Sequence, residues 1–363
     1  MRRTTCDHVV LWSSVNNSHF SIFGPFILYP SNEDGTVKLY DLRTQREYVI
    51  ARREQKYDVI STPKSDGRWV IYREELLNPH QSGEGNPKKP RIFVVDLLTG
   101  SKRLLAASHV PGYPQIVSPL YDISQGKAIY RIVKGDPNAP SSEIHIVDLA
   151  SGKDQLIRSY TWPRYAHGVA IDDNRAVWSL IMAPHANHKN TSGEIYYYDL
   201  RTGRGRLLTI TGYEWMPDIS GRYVIWIRSS GFLYYGRVVI MDLYTGKKQV
   251  IDLHCADNPK AFDYKRQAMW PSIGRRVATW EQYCSTRYSG YHMHYDLLNK
   301  RLSIVDATAR NIDSYADGWV EAYRHVLRDE PPDIRTVIII YKGADQESLP
   351  RMPNAGGGGM VGK

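Results

Sequence analysis

The chain has 363 residues, 42% of them apolar, with 26 Tyr and 9 Trp against only 6 Phe, and a net charge of +9. No run reaches the roughly 18 apolar residues that a membrane-crossing helix needs, and the widely spaced Cys6, Cys255 and Cys284 fit neither a zinc nor a disulfide framework. The charge favours acidic partners, and the N-terminus lacks the apolar run and cleavage site of a leader, so a cytoplasmic location is expected by default, or an extracytoplasmic one if the true start lies upstream.

In chain order, "HVVLWSSV" at 8–15 is a strand without a place in the repeat that follows it. Next come "FSIF", "GPFILY" ending at Tyr29, "TVKLYD" ending at Asp41, and "REYVI". This four-part pattern recurs. A Gly, Asp or Asn turn leads into a short apolar strand that closes on an aromatic, at Tyr72, Tyr130, Trp178, Trp226, Trp280 and Tyr323. After each of the first six closing aromatics comes a strand ending in Asp-Leu, with the aspartates Asp41, Asp96, Asp148, Asp199, Asp242 and Asp296 roughly 50 residues apart. A turn such as "TG" and an aliphatic run complete the unit. The last copy, "TVIIIYKG" at 336–343, has Lys342 where the others have aspartate.

Four short strands repeated at this period predict a β-propeller, each unit one blade. Seven closing aromatics predict seven four-stranded blades, with six as the alternative. The strand at 8–15 is expected to complete the last blade and close the ring, which removes an open sheet edge. Residues 1–348 then form a single propeller domain, and 349–363, with "GGGG" at 356–359, a flexible tail. The blades resemble those of TolB and its relatives, which carry a Gly-turn strand closing on Trp, then "DL..TG", then a short aliphatic strand. The resemblance implies the blade type and leaves function open. TolB proteins are usually six-bladed with an extra N-terminal domain, so their envelope role is not implied.

The repeated aspartates are expected to accept backbone N–H bonds at the turn, and glycines such as Gly203 to supply positive φ. The aromatics are expected to pack between blades. Two faces remain for function. The short-turn face is basic, and a polyanion site is expected at Arg201, Arg204, Arg206, Lys247 and Lys248. The long-loop face carries aromatics near the start of the first strands: Tyr113, Tyr165, His167, Tyr213, Trp215 and Trp270 form a candidate ligand-binding funnel.

No GxSxG, Walker sequence or GxGxxG occurs, and no nucleophile–base pair can be assembled. No cofactor, metal or catalytic residue is assigned. The expected function is a non-catalytic scaffold that binds a protein or peptide through the loop face. One alternative is a propeller enzyme, a lyase or glycoside-active, with a site in the central funnel. His185 and His188, or His292 and His294, would then be the metal candidates. Carbohydrate and polyanion are the other possible partners.

Overall fold

The computed structural model describes residues 6–10, 20–31, 34–54, 59–75, 90–107, 121–136, 139–182, 192–209, 212–229, 236–251, 267–283, 290–306, 314–317, 320–326 and 336–342. Among them every regular element is a β-strand. The strands are β1 (Cys6–Val10), β2 (Ser21–Phe23), β3 (Phe26–Ser31), β4 (Thr36–Asp41), β5 (Arg46–Arg52), β6 (Val59–Ser65), β7 (Trp69–Glu75), β8 (Arg91–Asp96) and β9 (Lys102–Ala107). There follow β10 (Tyr121–Ser124), β11 (Lys127–Asp136), β12 (Ala139–Asp148), β13 (Asp154–Thr161), β14 (Arg164–Asp172), β15 (Arg175–Met182), β16 (Ser192–Asp199) and β17 (Arg204–Leu207). The remainder are β18 (Tyr213–Ser220), β19 (Tyr223–Ser229), β20 (Gly236–Asp242), β21 (Lys248–Ile251), β22 (Gln267–Ile273), β23 (Val277–Tyr283), β24 (Gly290–Asp296), β25 (Arg301–Asp306), β26 (Ser314–Asp317), β27 (Val320–Val326) and β28 (Thr336–Lys342).

Consecutive strands pair antiparallel into β2–β5, β6–β9, β10–β13 and β22–β25, and β1 joins β28, β27 and β26. The expectation of separate four-stranded sheets needs one correction. β14–β17 and β18–β21 are joined into a single eight-stranded sheet by one parallel pair, Gly193 with Tyr213. The close approach has a simple cause: a Cβ on Gly193 would lie 2.6 Å from the Glu214 carbonyl oxygen. Gly193→Ala is therefore expected to destabilise by about 2 kcal/mol through overpacking against backbone, read as a lower urea midpoint.

The first strands meet one another in turn: β2 with β6, β6 with β10, β10 with β14, β14 with β18, β18 with β22, β22 with β26, and β26 with β2. The arrangement is that of a β-propeller. Its core lies between the blades. Ile71, Val94 and Ala106 of one blade pack with Tyr121, Ala128 and Tyr130 of the next, and Val177 and Ile195 pack with Val224 and Trp226 in the same way. Tyr29, Tyr72, Tyr130, Trp178, Trp226 and Trp280 are all buried, as expected of the closing aromatics. The side chain of Tyr323 and the segment 349–363 lie outside the described residues, as do residues 11–15 of the N-terminal strand.

The turn chemistry of the repeat is visible bond by bond. Asp41, Asp96, Asp199, Asp242 and Asp296 each accept the N–H two residues ahead, and Asp148 the one three ahead. Each following Leu donates its N–H to the turn before the second strand, as in Leu97 to Arg68 and Leu200 to Asn174, both 2.8 Å. Gly203 has φ +68°. Gln45 and Lys300 take positive φ at the corresponding place in the blades whose turns lack glycine. Arg222, bonded to Asp242, holds that carboxyl down at about 2.

The run Tyr196-Tyr197-Tyr198 splits by alternation. Tyr196 stacks on Trp178 at 4.8 Å, and Tyr198 packs in the same inter-blade core. Tyr197 faces the opposite core. Gly205, across from this run, is small because a Cβ there would come within 2.5 Å of the Tyr196 ring.

Candidate functional site

The inner strands do more than line the centre. Carboxylates and hydroxyls on these strands or in the turns after them bond successive blades, from β2–β5 through β22–β25. Asp66 accepts the Gly126 N–H (2.5 Å), Asp122 that of Ile171 (2.8 Å), Asp172 that of Gly221 (2.5 Å), and Asp218 that of Ile273 (2.8 Å). Ser21 Oγ donates to the Pro63 carbonyl, and the Asp173 N–H donates to Ser124 Oγ. Asp66, Asp172 and Asp218 thus act as inter-blade latches. Lys64 is bonded to Asp122 at 2.8 Å. Burial raises the Asp218 carboxyl from 3.8 to about 6; the Asp122 charge adds to the shift and Lys64 opposes it. Stability from this group is complete below its ordinary value and is lost as pH rises through about 6. Asp218→Asn is expected to flatten the change in urea midpoint between pH 4 and 7.

The funnel residues sit on these same strands. Tyr165 and His167 are on β14, Tyr213 and Trp215 on β18, and Trp270 on β22. Tyr113 lies outside the described residues. Each of the three strands carries a bulge at this level: between His167 and Val169, between Trp215 and Asp218, and between Met269 and Ser272. Gly168, Met216 and Trp270 take φ of +42°, +51° and +52° there. A bulge re-aims the side chains beside it. Tyr213 and Trp215 come together with ring centroids 6.2 Å apart, and Trp215 and Trp270 pack, half-buried, on one core cluster. His167 is set differently. It is 1% exposed, and neither ring nitrogen has a hydrogen-bond partner. Burial and the Arg131 charge push its imidazole down to about 3, so it is neutral at physiological pH and does not line an open mouth.

Sequence reasoning passed over Glu214, between Tyr213 and Trp215. It is fully buried, accepts Arg228 Nε at 2.7 Å and is also bonded by Trp226 Nε1. Burial raises its carboxyl, against the pull of Arg228.

On the turn face, Arg201, Arg204, Arg206 and Lys247 are exposed. Arg206 lies over the Tyr197 ring at 5.9 Å. Lys248 is committed elsewhere: its Nζ donates to the Leu208 carbonyl at 2.6 Å. Lys102, at the matching strand position, does the same to Arg52. Among the described residues no group of three His, Cys, Asp or Glu is placed to hold a metal. His185 and His188 lie outside them, and the side chain of His292 is not described. No described helix is long and apolar enough to cross a membrane.

No protein-family model and no curated protein matches the chain. Solved structures do. The β-propeller domain of the Trilobed protease from Pyrococcus furiosus is 13% identical, with 92% of this chain and 100% of that one covered and a TM-score of 0.59. Pyrococcus horikoshii acylaminoacyl peptidase is 13% identical, with 85% of this chain covered and a TM-score of 0.55; the chain spans 49% of its length. TolB from Acinetobacter baumannii is 14% identical over 81% of this chain and 64% of its own, with a TM-score of 0.46. Likeness at this level of identity is likeness of fold: the chain is an all-β propeller, and TolB proteins are among its structural neighbours.

Proposed function

We propose that the chain is a non-catalytic scaffold, a seven-bladed ring closed by its N-terminal strand, that binds a protein or peptide on the loop face. The β1–β28 pairing and the contact of β26 with β2 support the closed ring. Residues 1–348 would then form the propeller and 349–363 its tail. The observation that carries the binding reading is the half-buried group Tyr213, Trp215 and Trp270 on neighbouring inner strands. Large aromatics with one wet edge bury area on a partner at little entropic cost. Some neighbours are peptidases, but no GxSxG occurs in this sequence, and no peptidase activity is proposed.

Native co-purification tests it. A stoichiometric partner is expected with the wild type, and retention at least about tenfold weaker with the Tyr213→Ala/Trp215→Ala variant. Recovery of no partner, or equal recovery with the variant, overturns the reading.

A second reading, polyanion binding, rests on the exposure of Arg201, Arg204, Arg206 and Lys247. Replacing the three arginines by Ala is expected to lower the salt needed for elution from heparin and to flatten the salt dependence of binding. Elution unchanged by the triple substitution contradicts it.

A further inference from the structure

The turn face carries one side chain that the repeat does not explain. Tyr244 follows Asp242 and Leu243 in the turn between β20 and β21. The turn uses only its backbone, whose N–H donates to Asp242 at 3.0 Å. Arg43, Leu98, Ala150, Arg201 and Leu298 hold the same place in other blades, so the fold makes no demand for an aromatic there. Tyr244 is nevertheless 75% exposed, the most open large apolar side chain among the described residues.

Its surroundings are flat and cationic. The Arg222 guanidinium lies over the Tyr244 ring at 5.4 Å and over the Tyr223 ring at the same distance. Arg222 is also bonded to Asp242, which fixes the stack to its blade. A guanidinium thus supports one side of the Tyr244 ring, and the exposure of the ring leaves the other side open. The turns after β16 and β20 stand side by side: Tyr197 and Leu243 pack on one core cluster, and Lys248 reaches the Leu208 carbonyl. Burial raises the Tyr197 hydroxyl; Asp199 and Tyr244 add to the rise, while Arg175 and Arg206 oppose it, which groups all four around one ring. Asp242 is paired with Arg222 and Asp172 with Arg175, which leaves Arg201, Arg204, Arg206 and Lys247 against Asp173 and Asp199.

We propose that this seam binds a single strand of nucleic acid, with a base stacked on Tyr244 and the phosphates along the arginines of the adjoining turn. The inference rests on the polyanion reading and narrows it. Every base has a π-face, so an aromatic platform beside a cationic track holds a strand with little regard to sequence. The arginines would neutralise phosphates and release their counterions. A duplex keeps its bases stacked on one another, and a sulfated polysaccharide has charge without a π-face. Neither would use the ring.

Fluorescence anisotropy tests it with an oligothymidine of about 12 nucleotides and an abasic strand of the same length. The wild type is expected to bind the oligothymidine at least about fivefold tighter than the abasic strand, and Tyr244→Ala to lose that margin. Tyr244→Phe should keep it. Heparin elution should be unchanged in Tyr244→Ala, since no charge is removed, so the two readings fail separately. If the three-arginine variant loses heparin while the wild type binds oligothymidine and abasic strand alike, polyanion binding stands and the stacking proposal is overturned. A wild type that binds neither heparin nor oligothymidine sinks both. Wild-type affinity for oligothymidine in Tyr244→Ala, or a duplex of the same length bound as tightly as the single strand, also overturns the proposal. Oligouridine bound tighter than oligothymidine assigns the strand to RNA, and the reverse to DNA.

Discussion

Asp122→Ala is expected to cost about 3–5 kcal/mol, the cost of breaking a buried ion pair from one side. Asp122 is 9% exposed and serves two partners, Lys64 at 2.8 Å and the Ile171 N–H at 2.8 Å. Removing the carboxylate strands an ammonium with 16% side-chain exposure and a backbone donor on the adjoining blade. Asp122→Asn keeps an acceptor for Ile171 and loses the charge, so it should recover part of the deficit. Urea midpoints give the energies. Amide exchange at Ile171 gives the location, and is expected to accelerate in Asp122→Ala far more than exchange at residues of the distant β2–β5 blade. A loss under about 1 kcal/mol would place the pair among solvated surface bridges and sink the idea of a latch.

The second large effect is expected at Arg228. Arg228→Ala leaves the fully buried Glu214 with the Trp226 N–H and the weaker pull of Lys248, and without its bonded cation. The expected loss is about 3 kcal/mol at pH 8. Its pH dependence has a definite sign. Glu214 already titrates above its ordinary value because it is buried. A carboxyl raised in the folded state contributes its full stability below the unfolded value, and that contribution disappears as pH climbs through the folded one. Without Arg228 the folded value climbs further, so the deficit relative to wild type should shrink on acidification toward pH 5. Urea midpoints of both proteins at pH 5 and pH 8 decide it; a pH-independent deficit would point to lost packing by the arginine stem.

The blade chemistry was legible in the sequence because it is local. Asp199 and Gly203 act within one unit, the aromatic at Trp178 recurs at one place in every unit, and the unit is repeated often enough to expose the pattern. The latches were less legible, because a carboxylate on one repeat bonds an anonymous backbone N–H some 50 residues on. A signal did exist: Asp-Ile-Ser recurs at 122–124 and 218–220, and Pro63, Pro217 and Pro271 each precede the inner-strand residue at the matching register. The funnel was only partly legible. Strand order located Tyr213, Trp215 and Trp270 on inner strands, but simple alternation cannot foresee a bulge that turns side chains aside. His167 was set among exposed aromatics for that reason and is in fact enclosed. Lys248 is exposed as the sequence suggests, but sequence cannot show the carbonyl of Leu208 lying within reach of its Nζ.

The latches have a consequence for how such a chain can change over time. What Asp172 or Asp218 requires of the adjoining repeat is a backbone amide, which almost any residue supplies. A whole repeat can therefore be duplicated, lost or exchanged without a matching substitution in the one that receives its bond. Recombination between repeats would then leave that seam intact even where the sequences on its two sides share little.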